Sequence, residues 1–131
     1  MKKTLTLILI AIVLVILIIG GVLFVQKQKQ KRLTAMPSSQ IILFYSDQCP
    51  HCARVERFLE KHQVDQSLSI VKLDIRRDQS SIPLLLDRAK RCHITITNTV
   101  DIPFLWTGSK CVTGGPAVID FFKHKLDIKT E

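Results

Sequence analysis

The chain has 131 residues and a formal net charge of +8, which leaves room for one domain of about 100 residues and an appendage. Six of its nineteen Lys/Arg fall in residues 1–32, which hold no acid, so the remaining thirteen face eleven Asp/Glu and the rest of the chain is only +2. The basicity flanks an apolar segment and reads as membrane topology, which excludes a nucleic-acid footprint; no nucleic-acid partner is expected.

The first element runs from Leu5 to Val25 without a charge, interrupted only by Thr6 and Gly20-Gly21. As a helix these residues span roughly 31 Å, enough for a bilayer core. The competing reading is a cleaved signal peptide, with Lys2 and Lys3 as its basic head. Against it, the apolar run outlasts a signal core and ends in Phe24-Val25 and lysines, with no small-x-small site. Residues 1–25 are therefore expected to be an uncleaved single-pass anchor, residues 26–39 a polar linker carrying Pro37-Ser38-Ser39, and residues 40–131 the folded domain. Orientation is pulled two ways. Lys27, Lys29, Lys31 and Arg32 outnumber Lys2, Lys3 and the amino terminus, which favours a cytoplasmic domain. An even number of cysteines and a short basic tail before the anchor favour the other side, and an extracytoplasmic domain is the expectation.

The domain opens on Ile41-Ile42-Leu43-Phe44-Tyr45, an apolar, β-prone strand, followed by a Ser46-Asp47-Gln48 turn and then Cys49-Pro50-His51-Cys52. From Cys52, Val55, Phe58 and Leu59 recur at helical spacing, with Arg54, Glu56, Arg57, Glu60 and Lys61 on the other faces; the helix should end near Lys61, with His62 a solvated cap residue. Strand, turn, CxxC, helix is the order in which two cysteines form a redox pair and not a metal clamp. The helix start aims unpaired N–H groups and a partial positive charge at the first sulfur, favouring its thiolate. Cys49 is thus the expected nucleophile, and Cys52, one turn on and more shielded, the resolving thiol. Pro50 suits the first helical turn because its missing N–H would be unpaired there anyway. His51 can add a donor or a positive charge beside the thiolate, so these two residues tune the motif.

Further on, Ser69 to Ile75 alternates and is β-branched, giving a second strand. A polar loop follows over residues 76–79, then a helix capped by Ser80 or Ser81 with Pro83 in its first turn. Leu84, Leu85, Leu86 and Ala89 form its buried side, and Arg88, Lys90 and Arg91 its solvated, cationic end. His93 to Thr99 reads as a loop. Val100 to Trp106 reads as a strand, and a Pro inside it is anomalous unless Ile102-Pro103 is cis at the strand's start. Thr107-Gly108-Ser109 is then a hairpin turn, Lys110-Cys111-Val112 its partner strand, and Gly114-Gly115-Pro116 the entry to a last helix with Val118, Ile119, Phe122 and Leu126 on one stripe. The order β-α-β-α-β-β-α predicts an α/β domain, a parallel crossover followed by a hairpin and a covering helix.

These residues together resemble the thioredoxin superfamily at glutaredoxin size, over about residues 40–127. The features that carry the resemblance are the strand before Cys-Pro-His-Cys at a helix start, the Ile-Pro about fifty residues later, and the Gly-Gly before the final helix. The tetrapeptide itself is similar to that of DsbA-type oxidases, although there is no room here for their helical insertion. The resemblance implies a thiol–disulfide oxidoreductase needing no cofactor, in which Ile102 and Pro103 hold substrate backbone beside Cys49 and Gly114 and Gly115 lie where glutaredoxins hold glutathione. Ser46-Asp47-Gln48 stands where glutaredoxins carry a lysine for a glutathione carboxylate, and Pro116-Ala117 where they carry acids. Protein thiols and disulfides are therefore expected as partners ahead of glutathione.

Cys92 and Cys111 stay open between three readings: small buried hydrophobes, a structural or electron-relaying bridge between the second helix and the final hairpin, or part of a metal site. Two other functions compete for the whole chain. One is a metal-handling domain using Cys49 and Cys52 with His51 or Cys92, suited to a soft ion such as Cu(I), although no metal is the primary expectation. The other is a membrane-tethered binding domain in which the thiols are incidental.

Overall fold

The computed structural model describes residues 2–94 and 101–128, in two compact units, Met1–Ala35 and Met36–Glu131. The first is a single helix, α1 (Lys2–Thr34), whose stretch Thr6–Lys29 is long and apolar enough to cross a membrane. Its apolar side chains are open, Leu17, Ile18 and Val25 each about two-thirds exposed. Helix formers Gln, Lys and Arg carry it past Val25, so the first part of the polar linker, to Thr34, is helical.

Residues 36–40 are fastened to the second unit as well. Arg88 donates to the Met36 carbonyl at 3.3 Å, the Trp106 indole N–H donates to the Ser38 carbonyl at 2.7 Å, and Gln40 donates to the Ser69 carbonyl at 2.8 Å. Gly108, at φ +97°, lies so close that a Cβ there would stand 2.7 Å from the Ser39 carbonyl oxygen.

The second unit is a mixed four-stranded sheet between helices. Its elements are β1 (Ile41–Tyr45), α2 (Pro50–Lys61), α3 (Val64–Ser67), β2 (Ile70–Asp74), a 3-10 turn (Gln79–Ser81), α4 (Ile82–Arg91), β3 (Phe104–Trp106), β4 (Cys111–Thr113) and α5 (Gly115–Leu126). The strand order is β2-β1-β3-β4, with β2 parallel to β1 and both other pairings antiparallel. β1 is central, which is why Ile42, Leu43 and Phe44 are all buried and the strand reads as a continuous apolar run. Alternation sends its side chains to two cores. Leu43 and Leu105 meet Val55 and Leu59 of α2, Val64 of α3, and Val118 and Phe122 of α5. On the other face Phe44 meets Phe104 edge to face at 5.9 Å, and Trp106 lies under Arg88 of α4.

Several expectations change. α3 is a single extra turn after Gln63 in the left-handed region, too short to leave a periodic signal. Ser81 occupies the cap position of α4, but its hydroxyl donates to the Asp78 carbonyl instead of capping. Leu86 is 43% exposed, outside the core assigned to it. Arg88 is buried, unlike exposed Lys90 and Arg91: it lies 5.4 Å over the Trp106 ring and pairs with Asp87 at 2.7 Å, while its Nε has no partner among the described residues. β3 starts at Phe104, not Val100, because Pro103 has no N–H to give a ladder and the Ile102-Pro103 bond is cis. β4 begins one residue late, since the Lys110 carbonyl accepts the Thr107 N–H to close the turn. The loop reading over residues 93–99 falls largely outside the described residues, as does Val100. Replacing Phe122, which is fully buried between α5 and the sheet, by Ala should lower the unfolding free energy by about 3–5 kcal/mol in denaturant titrations.

Candidate active site

The start of α2 holds Cys49 and Cys52. Cys49 is its N-cap, with φ −94° and ψ 116°, and its sulfur stands where a Ser or Asp oxygen would ordinarily cap, accepting the Cys52 N–H at 3.4 Å. Its own N–H donates to the Ser46 carbonyl and its carbonyl accepts the Ala53 N–H, so both ends of the residue are pinned. Ser46 is buried and its hydroxyl accepts the Gln48 N–H at 3.2 Å, which shapes the turn between β1 and the motif. Pro50 fills the first helical turn without an orphan donor.

Both cysteines are free thiols, Cys49 half-buried and Cys52 buried, and their acidities diverge. Burial raises the Cys49 pKa, but hydrogen bonds from the Cys52 thiol, the Cys52 N–H and the His51 N–H outweigh it, and the net shift is downward. Burial first, then the hydrogen bond to Cys49 and the negative charges of Cys49 and Glu56, push Cys52 up to about 12, with only the Ser46 backbone opposing. The pair is therefore one sulfur poised to ionise beside one held as a thiol. His51 contributes to Cys49 through its backbone N–H; its side chain is exposed.

Three other segments meet this turn. The Ile102 carbonyl oxygen lies 3.7 Å from Cys49 Sγ, close enough to accept the thiol proton, and Pro103 behind it is buried. The Pro103 carbonyl accepts the Gly114 N–H at 3.0 Å. Gly114 caps α5 at φ +85°, a backbone position that favours glycine, and Gly115 is so near α2 that a Cβ there would stand 3.3 Å from the His51 carbonyl oxygen. The structure thus brings Cys49, Cys52, Pro50, His51, Ile102, Pro103, Gly114 and Gly115 to one corner of the sheet. Cys92 and Cys111 lie elsewhere and are bonded to each other, Cα atoms 6.1 Å apart. Among the described residues no three His, Cys, Asp or Glu side chains converge as metal ligands, and the Cys92 sulfur that a metal site would borrow is engaged in the bridge.

One group at this corner escaped the sequence reading. Asp74 ends β2 directly opposite Tyr45, and its carboxylate accepts N–H groups from Arg76, Arg77 and Asp47, tying the turn after β2 to the turn before Cys49. Arg77 completes the tie through the Asp47 carboxylate at 2.7 Å. Burial would raise the Asp74 pKa, but those backbone donors and Arg77 hold it below the usual carboxylate range. Asp74 and Arg77 meet Asp47 only through the parallel register of β1 and β2, which nothing local in the sequence marks. No family model, curated protein or solved structure matches this chain.

The split acidity has two expected consequences. Alkylation of the reduced protein should label Cys49 at pH values where Cys52 stays unreactive, with Cys52 labelled only as the pH nears about 12. Because the folded pKa of Cys52 is raised from 9.0, its contribution to stability is complete below pH 9 and falls away as the pH climbs toward 12. Denaturation of the reduced chain against pH reads this; a Cys52→Ala variant should show a shallower alkaline decline, the remainder coming from groups such as Tyr45 and Lys72 whose pKa values are also raised.

Proposed function

We propose that the chain is a membrane-anchored thiol–disulfide oxidoreductase whose domain has a thioredoxin/glutaredoxin-like fold and exchanges disulfides with proteins. The observation that carries this reading is the Cys49–Cys52 pair at the start of α2, one pKa lowered and the other raised to about 12. The strand order β2-β1-β3-β4 with the Ile102-Pro103 cis bond facing the first cysteine supports it.

The steps use this chain's own groups. Cys49 thiolate attacks one sulfur of a substrate disulfide; the substrate S–S bond breaks, its other sulfur leaves as a thiolate, and a mixed disulfide forms at Cys49. Cys52 then passes its proton to the substrate thiolate that has just left and attacks the Cys49 sulfur, releasing the second substrate thiolate and leaving a Cys49–Cys52 disulfide. The substrate gains two electrons and the protein loses two; run backwards, the same steps oxidise a substrate dithiol. Ionisation of Cys49 removes its hydrogen bond to the Ile102 carbonyl, freeing that oxygen to accept a substrate backbone N–H. Asp47, paired with Arg77 beside the motif, puts a carboxylate where glutathione binding calls for a cation, which favours protein substrates. The Cys92–Cys111 bridge favours a domain on the oxidising, extracytoplasmic side of the membrane, with α1 as its anchor.

In a protein-disulfide reduction assay, Cys49→Ser should lose turnover completely, and Cys52→Ser should accumulate mixed disulfides that release on added dithiol. Turnover surviving in Cys49→Ser would sink this reading. Stoichiometric metal in the purified chain, lost in either variant, would put metal handling in its place.

A further inference from the structure

Cys92 and Cys111 take no part in the steps above, and their position shows why. Cys92 is the C-cap of α4, and Cys111 opens β4 in register with Trp106, on the sheet face that Arg88 of α4 covers. The α2 helix that bears Cys49 and Cys52 packs on the opposite face with α5. The bridge is also at the far end of the hairpin: β3 leaves the site at Phe104 and β4 returns to it at Thr113, two residues, or about 7 Å of strand, beyond Cys111. Sulfur-to-sulfur exchange needs contact, and a sheet lies between the two pairs.

What the bridge does enclose is the substrate loop. Its two sulfurs close a ring over a sequence separation of 19 that contains Ile102, Pro103 and all of β3. Among the described residues β3 itself is buried and held on both sides, whereas β4 pairs only with β3. β3 has three residues paired to β1 and the same three paired to β4, and a single bond joins Gly114 N–H to the Pro103 carbonyl. β4 is an edge strand of three residues. The bridge ties that edge covalently to α4, where Leu84, Leu85 and Ala89 are sunk in the core and the Arg88 carbonyl oxygen lies 3.4 Å from Cys111 Sγ.

We propose that the Cys92–Cys111 bridge is a positioning element for substrate: by fixing the β3–β4 hairpin to α4 it holds the Ile102 carbonyl and Pro103 opposite Cys49, and so sets how tightly a protein disulfide is gripped. The inference rests on the exchange reading. The hydrogen bonds that lower the Cys49 pKa come from Cys52 and His51 and not from the hairpin, so the bridge acts first on binding.

The test compares the full chain in detergent with a Cys92→Ala/Cys111→Ala variant, both folded by circular dichroism. For a protein disulfide, KM should rise about tenfold or more, as displacement of a positioning group implies. The rate with a small aromatic disulfide, which has no backbone N–H to donate to the Ile102 carbonyl, should not change. An unchanged KM for the protein disulfide, or equal losses with both substrates, overturns the proposal. Should the variant fail to fold, hydrogen exchange of the unaltered chain decides, with Cys49 and Cys52 reduced throughout and the bridge intact or reduced. Opening the bridge should speed exchange at the Gly114 amide about tenfold or more and leave the Ala53 amide unaffected; equal Gly114 rates overturn the proposal. A wild-type chain without any turnover defeats the exchange reading instead, and the Gly114 rates then still decide whether the bridge holds the loop.

Discussion

A helix start must find acceptors for its first N–H groups, and here one of those acceptors is a sulfur. The geometry at the start of α2 follows from that substitution of Sγ for the oxygen of an ordinary cap. The hydrogen bond that holds Cys49 in place also stabilises its ionised form, so structural need and chemical reactivity are met by one contact. The rest of the domain serves to keep that cap at a fixed spot. A central strand buried on both faces delivers the chain to Ser46, and a turn with both ends hydrogen-bonded hands it to Pro50.

The two faces of the sheet divide the labour. The α2/α5 face carries the dithiol, and α5 approaches so closely at Gly115 that a Cβ there would press on the His51 carbonyl oxygen at 3.3 Å. The α4 face carries no reactive thiol. It holds instead a bridge, a buried arginine stacked on an indole, and the segment arriving from α1. A buried guanidinium with an unpartnered Nε is a costly group to keep. Its other bonds explain the placement: it joins α4 to the Met36 carbonyl, which no aliphatic side chain of that length would do.

How much of this was readable in advance depended on range. Cys49-Pro50-His51-Cys52 after an apolar run announces its own geometry, because cap, proline and helix periodicity are all local. The Ile102-Pro103 peptide was legible as an anomaly, a proline where a strand wanted a donor, and Gly114-Gly115 as a helix entry. Residues whose role depends on distant partners were not legible. Asp74 looked like the last polar residue of a strand, yet its carboxylate organises a turn 27 positions away through a register that only the fold sets. Arg88 read as a solvated end because Lys90 and Arg91 beside it are one, and helical phase alone could not say that Trp106 waits beneath it. The polarity of residues 26–39 marked a linker but not its conformation: intrinsic propensity extends the helix to Thr34, and backbone carbonyls at 36 and 38 find donors on the domain.

Trp106 is the only tryptophan in the chain. Its indole is 4% exposed, with its N–H on the Ser38 carbonyl, Arg88 over its ring and Cys111 as its strand partner. Intrinsic fluorescence excited at the indole band therefore comes from one spot, on the face of the sheet away from the dithiol. Emission reports whether the entering segment and the bridge are in place, on the side of the sheet away from Cys49. The molecule carries its own optical probe of the mechanical half of its fold.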